Sequence, residues 1–315
     1  MSNTFKNDVQ DGLESVPKTL PSKYFYDKKG DALFVEIMNL PEYYLTRCEH
    51  DIFKNKTDEL IQSFDIDTGC YFELIELGAG DGSKTKELLK KLVAENYNFD
   101  YYPIDISKNA LHLLKQNLTK KIPKLSVRTQ QGDYFEVLDS LKVSKKPKVI
   151  LFLGSNIGNM QDALAGEFIY KLGSNLNKGD KLLLGVDLIK SKEIIGPAYN
   201  DSKGITAAFN LNLLDRINKE LDGKFNLSNF THVPEYDENE GVANSFIEST
   251  AKQIVEIKAL GKSFNFEKGE KIHTEISRKY NDELIHKIIK KTDFTMKSKI
   301  MDSAAYFADY ILTRN

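Results

Sequence analysis

Glycines and carboxylates cluster near residue 80 in a pattern that could hold a nucleotide-like ligand. The segment 76–85, ELGAGDGSKT, follows the apolar run FELIEL and precedes leucines at helical spacing. Glycines between a buried strand and a helix permit a tight turn and a close approach of a ligand to the backbone. The GxxxxGK[ST] pattern is absent, and Ser83 occupies the sixth position of GxGxxG. The pattern therefore disfavours a phosphate-cradling loop and a dinucleotide site, and a plain strand–helix turn is the structural alternative.

Acidic residues end the next two predicted strands. Asp105 closes YYPID, and Asp133 follows Gly132 at the third strand end. Because carboxyl ends of parallel strands meet at one edge of a sheet, these groups should face the glycine-rich turn. Asp105 could accept both hydroxyl protons of a ribose, since Ser107 is the better helix N-cap. Asp133 could accept from an adenine amino group with Tyr134 against the ring, or could instead cap a helix.

Strands and helices alternate in the first part of the chain. Apolar runs predict strands, and leucines at i, i+3 and i+4 predict helices. The predicted strands are 72–77, 100–107, 146–154 and 180–189, and the predicted helices are 83–96, 108–118 and 162–176. This alternation predicts a doubly wound α/β fold with parallel strands and helices on both faces.

The alternation stops after Ile189. A long helix is predicted at 204–221, followed by three antiparallel stretches, a helix and a returning strand, in the segments 230–237, 244–257, 262–280, 281–292 and 304–313. We therefore expect a core of residues 55–190 plus 280–315. Residues 1–54 plus 191–279 should form an inserted α+β substrate-binding domain, with 1–20 partly loose.

Composition narrows the class of protein. The 315 residues carry 44 Lys plus Arg against 46 Asp plus Glu, which disfavours a nucleic-acid or anionic-membrane partner. Two cysteines exclude a disulfide scaffold, and the five histidines lack metal-ligand spacing, so no metal is expected. There is no signal-like or membrane-spanning apolar run. We expect a cytoplasmic, monomeric globular protein, and composition alone indicates no activity.

Several motifs together resemble one family. They are YFYDKKGDALFVEIMNLPEYYLTR (24–47), ELGAGDGSKT, YYPIDIS, FLGSNIGN (152–159), AYNDSKGITAAFN (198–210) and HTEISRKY (273–280). From about Lys18 to Asn315 the chain resembles the L-histidine Nα-methyltransferases of ergothioneine biosynthesis. The resemblance implies a Rossmann-like class I methyltransferase core and S-adenosyl-L-methionine as methyl donor, with S-adenosyl-L-homocysteine as product. It also implies up to three methyl transfers to the histidine α-amine, giving hercynine.

The resemblance implies roles for individual residues. The residues implied at the donor are Gly78, Gly80, Lys84, Asp105 (ribose), Asp133 and Tyr134 (adenine). Those implied at the amino acid are Tyr26, Glu275 and Ser277 (imidazole), Asn159 and Tyr199 (α-amino and α-carboxylate), and Tyr43 (donor and amine). Tyr43 and Asn159 are the expected catalytic residues, because they would orient the amine lone pair.

Two features leave alternatives open. Glu275 and Ser277 should share one strand face, but an exposed face is the alternative because Lys271, His273 and Lys279 have the same parity. The family reads IEM where this chain reads IES at 247–249. That departure at Ser249 would alter an apolar wall of the side-chain pocket. It leaves open another amino acid or aromatic amine as substrate, or a non-catalytic donor-binding regulator.

Overall fold

The computed structural model describes residues 3–133, 137 and 144–315. The helices are α1 (Asn3–Glu14), α2 (Lys28–Met38), α3 (Leu45–Asn55), α4 (Thr57–Phe64), α5 (Thr85–Ala94), α6 (Lys108–Lys121), α7 (Asp162–Ser174), α8 (Lys192–Tyr199), α9 (Ile205–Leu221) and α10 (Asp282–Ile289). The strands are β1 (Lys18–Thr19), β2 (Phe72–Leu77), β3 (Phe99–Asp105), β4 (Gln130–Gln131), β5 (Lys148–Phe152), β6 (Lys181–Asp187), β7 (Phe230–Asp237), β8 (Val242–Ser249), β9 (Gln253–Ile257), β10 (Lys262–Phe266), β11 (Lys271–Arg278), β12 (Phe294–Met301) and β13 (Phe307–Arg314).

The chain divides into two compact units. The insert unit comprises Met1–Tyr44 and Lys190–Ser277, and the sheet unit comprises Leu45–Ile189 and Arg278–Asn315. Residues 45–54, expected in the inserted domain, lie in the sheet unit. The reason is local: α3 buries Ile52 and Phe53 and packs on β13 and α5.

The sheet unit is built on seven strands in the order β12-β13-β6-β5-β2-β3-β4. Strands β2 to β6 pair in parallel, whereas β13 runs antiparallel to β6 and β12 antiparallel to β13. The predicted doubly wound sheet is therefore confirmed. Chain order reverses between β2 and β5, and ligands of such sheets bind at that reversal, outside the carboxyl ends of the strands.

Burial explains why the core strands are continuously apolar. Helices cover both faces of a parallel sheet, so residues of either parity are enclosed. In β5 all five residues are buried, and in β6 the six residues from Leu182 to Asp187 are buried. The edge strand β12 was not predicted, because its sequence FTMKSKIM carries two lysines and buries only Phe294 and Ile300. Lysines are typical of edge strands, which must avoid pairing with other chains.

The insert unit contains the sheet β1-β11-β8-β7 and a separate β9-β10 hairpin. The predicted stretch 244–257 is two strands, β8 and β9, and the stretch 262–280 contains β10 and β11. Helix α9 supplies buried Phe209, Leu213 and Ile217 to the core of this unit. Asp201 fixes the start of α9, since its carboxylate accepts from the backbone N–H groups of Ile205 (2.9 Å) and Thr206 (2.7 Å).

The expectation that residues 1–20 are partly loose is wrong for the described residues, which begin at Asn3. Residues from Asn3 onward form α1, and Phe5, Val9 and Leu13 are buried at a spacing of four, which places them on one helix face. Strand β1 then pairs in parallel with β11. These three apolar residues form a narrow stripe among polar ones, so the polar composition of the segment did not indicate a helix. In the part of the chain that the structure describes, none of the helices has the length and apolarity needed to cross a membrane.

Candidate functional site

The glycine-rich turn leaves β2 at the strand reversal of the sheet unit. Gly78, Gly80 and Gly82 have φ of 71°, 54° and 66°, a region that side chains other than glycine rarely adopt. A Cβ at Gly80 would meet no atom within 4 Å, so open space lies beside this part of the backbone. The turn is thus both strained for other residues and accessible to a ligand.

Hydrogen bonds join the turn to the carboxyl ends of β3 and β4. Gly78 N donates to Ile104 O (2.8 Å), and Gly80 N donates to Asp105 Oδ2 (3.0 Å). Gly132 N donates to Asp105 O (3.2 Å). The structure therefore brings together the three strand ends that the sequence singled out.

Asp105 bonds to the glycine-rich turn and does not cap helix α6. Its Oδ1 accepts from Ser107 N (2.8 Å), whereas Ser107 itself caps α6 by accepting from Ala110 N (3.1 Å). Asp133 is exposed just beyond β4, and its carbonyl accepts from Val137 N (3.1 Å). Tyr134 lies outside the described residues.

Lys84 immediately precedes α5 and forms an ion pair with Glu49 of α3. The Glu49 side chain is 1 % exposed, and its Oε1 also accepts from Gly154 N (2.7 Å), directly after β5. Sequence reasoning missed Glu49 because nothing in the LTRCEHDIFKN helix distinguishes its carboxylate from a solvated one. The pair places an ammonium group at the same sheet edge as the glycine-rich turn.

Asn159 ends a short 3-10 helix in the loop after β5 and is exposed. The loop is fixed at its start, where Ser155 has φ of 58° and its Oγ accepts from Asp187 N (3.0 Å). At Gly158 a Cβ would approach Arg278 O to 2.6 Å, so this position requires glycine. Asn159 thus projects from a well-anchored loop of the sheet unit.

In the insert unit, the end of β11 carries two polar contacts. Tyr199 OH, at the end of α8, donates to Ser277 Oγ (2.7 Å), and both residues are buried. Ser245 of β8 donates from Oγ to Glu275 Oε2 (3.3 Å) and is 1 % exposed. Glu275 is half-buried, so the alternative of a fully exposed strand face is wrong.

Neighbouring groups hold this end of β11 in place. Thr274 Oγ1 lies within hydrogen-bond distance of Asn210 Oδ1 (3.0 Å) and Ser245 O (2.9 Å). The His232 ring nitrogen Nε2 contacts Tyr199 O at 3.0 Å. Burial lowers the pKa of His232 below its ordinary value, although the bond to the Tyr199 carbonyl opposes this shift. A neutral ring therefore supports the backbone of Tyr199.

Tyr26 and Tyr43 belong to an aromatic cluster of the insert unit. The Tyr26 ring lies 5.5 Å from the Phe34 ring and 5.6 Å from the Phe209 ring, in edge-on contacts. The Tyr43 ring lies 6.4 Å from Phe34. Phe209 precedes Asn210, so consecutive residues of α9 contact the aromatic cluster and, through Thr274, the end of β11.

Ser249 is the buried last residue of β8. Its Oγ donates to Ala251 O (2.8 Å) and accepts from Gln253 Nε2 (2.6 Å), which closes the turn from β8 to β9. Ser245, four residues or about 13 Å away along β8, contacts Glu275. The expectation of a pocket wall altered at Ser249 stays a prediction.

The chain is similar in sequence to known methyltransferases. A family model described as histidine-specific methyltransferase, SAM-dependent, matches residues 5–314. The chain is 35% identical to the histidine N-alpha-methyltransferase of Mycolicibacterium smegmatis over 90% of this chain and 86% of that protein. It is 31% identical to ergothioneine biosynthesis protein 1 of Schizosaccharomyces pombe over 94% of this chain and 39% of that longer protein.

A solved S-adenosylmethionine-dependent methyltransferase from Clostridium acetobutylicum is also similar, with a TM-score of 0.49 at 13% identity, over 89% of this chain and 97% of that one. Because the family model spans nearly the whole chain, the protein belongs to the SAM-dependent, histidine-specific methyltransferase family.

Proposed function

We propose that this enzyme transfers methyl groups from S-adenosylmethionine to the α-amine of L-histidine, up to three times, and so makes the trimethylated betaine. The observation that carries the proposal is the end of β11, where Glu275 and Ser277 are each held by a second side chain. Family membership makes the enzyme a methyltransferase, and these two residues supply the chemistry that selects an imidazole.

An imidazole can be bound by one acceptor and one hydroxyl. The ring presents a donor N–H and, in its neutral form, an acceptor nitrogen. The Glu275 carboxylate accepts hydrogen bonds, and Ser245 occupies part of that capacity at Oε2. Tyr199 donates to Ser277 Oγ, which directs the Ser277 proton toward a different acceptor. We assign the ring N–H to Glu275 and the other ring nitrogen to Ser277.

The methyl donor fits the polar groups at the edge of the sheet unit. S-adenosylmethionine supplies an electrophilic methyl group on a sulfonium ion, and its single anionic group is an α-carboxylate. The residues match this chemistry: Asp105 can accept from ribose hydroxyls, and the Lys84 ammonium can hold the carboxylate. Gly80 leaves the space for close approach, and we also assign Gly78 to the donor. We assign Asp133 and Tyr134 to the adenine.

Positioning of the amine should supply most of the rate enhancement. The amine must lose a proton before each transfer, and a neighbouring sulfonium cation lowers the amine pKa. We assign the orientation of the lone pair to Tyr43 and Asn159, and the carboxylate end of the amino acid to Asn159 and Tyr199. As methyl groups replace N–H donors, the aromatic cluster that contains Tyr26 and Tyr43 can stabilise the growing apolar cation.

We also propose that the enzyme is cytoplasmic. The balanced charge, 44 cationic against 46 anionic side chains, supports an enzyme that works without a nucleic-acid or anionic-membrane partner. We propose that it acts as a monomer. Light scattering of the purified protein measures its mass directly, and a dimer mass would contradict this part of the proposal.

The central experiment incubates the purified protein with S-adenosylmethionine and L-histidine and weighs the products. Mass gains of one, two and three methyl groups are expected, and no gain would overturn the proposal. The other nineteen amino acids serve as parallel substrates, and preferential turnover of one of them would move the assignment to that amino acid. Glu275→Ala should weaken histidine binding at least about tenfold while leaving S-adenosylmethionine binding intact. Equal loss of both ligands would contradict the imidazole assignment.

A further inference from the structure

Three buried carboxyl groups interact electrostatically with Lys84 in the sheet unit. They belong to Glu49 of α3, Glu76 of β2 and Asp309 of β13, and none is more than 2 % exposed. Buried carboxyls are normally paired or hydrogen-bonded, because an isolated buried charge is costly. The partners of each oxygen therefore indicate what this cluster does.

Two of the three carboxyls are fully partnered. Glu76 Oε1 accepts from Thr85 Oγ1 (2.8 Å), and Glu76 Oε2 lies close to Tyr101 OH. Glu49 binds Gly154 N through Oε1 and Lys84 through Oε2. These contacts account for Glu76 and Glu49 within the fold.

Asp309 differs from both. Its side chain is completely buried, and within the described chain neither of its carboxyl oxygens has a hydrogen-bond partner. Asp309 pairs across the sheet with Gly185 of β6, at the edge where β6 ends. An unpartnered acid in this position requires an explanation.

Gly185 shows that the Asp309 and Glu49 carboxyls converge. A Cβ on Gly185 would lie 2.3 Å from Glu49 Oε1 and 2.8 Å from Asp309 Oδ1. The two oxygens thus fill the space that a side chain at 185 would take. Two carboxyls so close in a dry environment do not both ionise readily, and one proton between them relieves the repulsion.

The charges around the pair agree with this geometry. Burial and the charge of Glu49 raise the pKa of Asp309 well above its ordinary value, and Lys84 partly opposes the shift. Burial raises the pKa of Glu76 to about 7. Asp309 and Glu76 therefore both hold a proton more readily than ordinary carboxyls do.

We propose that Glu49 and Asp309 are positioning residues that share one proton and hold the Lys84 ammonium at the place where the α-carboxylate of the methyl donor binds. This inference rests on the proposed function, since it takes Lys84 as the donor's carboxylate partner. The shared proton removes one negative charge that would otherwise lie beside Lys84. If Asp309 also ionised, a second negative charge beside Lys84 would oppose the incoming carboxylate.

Two ligands distinguish a role at the donor carboxylate from a general effect on the donor site. S-adenosylhomocysteine carries an amino-acid end with its carboxylate. 5′-Methylthioadenosine has the same nucleoside and a thioether but lacks the amino-acid end. Glu49→Gln should weaken S-adenosylhomocysteine about tenfold in calorimetric titration and change 5′-methylthioadenosine less than twofold. Equal losses for the two ligands would overturn the inference. If wild-type protein binds neither ligand, the proposed function itself fails.

The proton is tested independently by infrared difference spectroscopy. At neutral pH the wild type should show the C=O stretch of a protonated carboxyl that Asp309→Asn lacks. This band should shift when S-adenosylhomocysteine binds and stay in place with 5′-methylthioadenosine. Absence of the band, or the same response to both ligands, would contradict the shared proton.

Control variants assign the signal. Glu76→Gln identifies the part of the C=O band that comes from a protonated Glu76. Asp180→Asn replaces another buried acid of the sheet unit, which accepts from Lys148 N (2.9 Å) at the opposite end of the strands. It should leave the discrimination between the two ligands unchanged. Thermal unfolding of every variant should be measured to check that each retains its fold.

Discussion

The Tyr199 hydroxyl donates a hydrogen bond to Ser277 Oγ at 2.7 Å, although the two residues are 78 positions apart. The contact joins the last turn of α8 to the end of β11 within the insert unit. It turns a serine, which can donate or accept, into a donor with a defined direction. Removing either partner should therefore affect the ring end of the bound amino acid.

We predict that Tyr199→Phe weakens histidine about tenfold, or about 1.4 kcal/mol, because Ser277 loses its donor while staying buried. Affinity for S-adenosylhomocysteine should not change. Titration calorimetry measures both. Tyr236→Phe is the matched control, since Tyr236 OH donates to Lys190 O (3.0 Å) in the same unit. A loss in the control as large as that in Tyr199→Phe would refute a specific role for the Tyr199 hydroxyl.

A second prediction compares two buried serines of β8. Ser245→Ala removes the donor to Glu275 Oε2 and should raise the histidine Kd about fivefold to tenfold. Ser249→Ala removes bonds to Ala251 and Gln253 instead, so it should lower the unfolding temperature and leave the histidine Kd unchanged. The reverse pattern would show that the Ser249 position, and not Ser245, controls the pocket.

Local patterns in the sequence were sufficient to predict the parallel strands β2, β3, β5 and β6 of the sheet unit. FELIEL followed by GAGDG predicts a buried strand and a turn, because both signals lie within about ten residues. The partners of the site residues could not be predicted in this way. Glu49 is 35 residues from Lys84, and Ser245 is 30 residues from Glu275. Such contacts depend on how helices and strands pack, which the local pattern does not encode.

The packing of the N-terminal helix α1 also could not be predicted from the local pattern, and this packing contributes to stability. Leu13 is 2 % exposed on α1 and packs in the core of the insert unit. Leu13→Ala should lower the unfolding free energy by about 2–4 kcal/mol through lost burial and a residual cavity. Asp11→Ala, at an exposed position of the same helix, should change it by less than about 0.5 kcal/mol. Urea unfolding measures both, and similar values for the two variants would argue that α1 is not docked in solution.

The buried Glu76 carboxyl makes stability depend on pH in a defined direction. Burial raises its pKa from an ordinary value of 4.5 to about 7, against the opposing hydrogen bonds from Tyr101 and Thr85. Between these values the folded protein keeps a proton that the unfolded chain has lost. The unfolding free energy therefore falls as the pH rises through this window.

In Glu76→Gln the side chain stays neutral, so this pH dependence should disappear. Relative to the variant, the wild type should lose about 2–3 kcal/mol of unfolding free energy between pH 5 and pH 8. Urea unfolding at both pH values measures the difference. Glu73→Gln, on the same strand and half-buried, controls for the general effect of removing a carboxyl from β2. If the gap between wild type and Glu76→Gln is the same at both pH values, Glu76 does not carry an extra proton in the folded state.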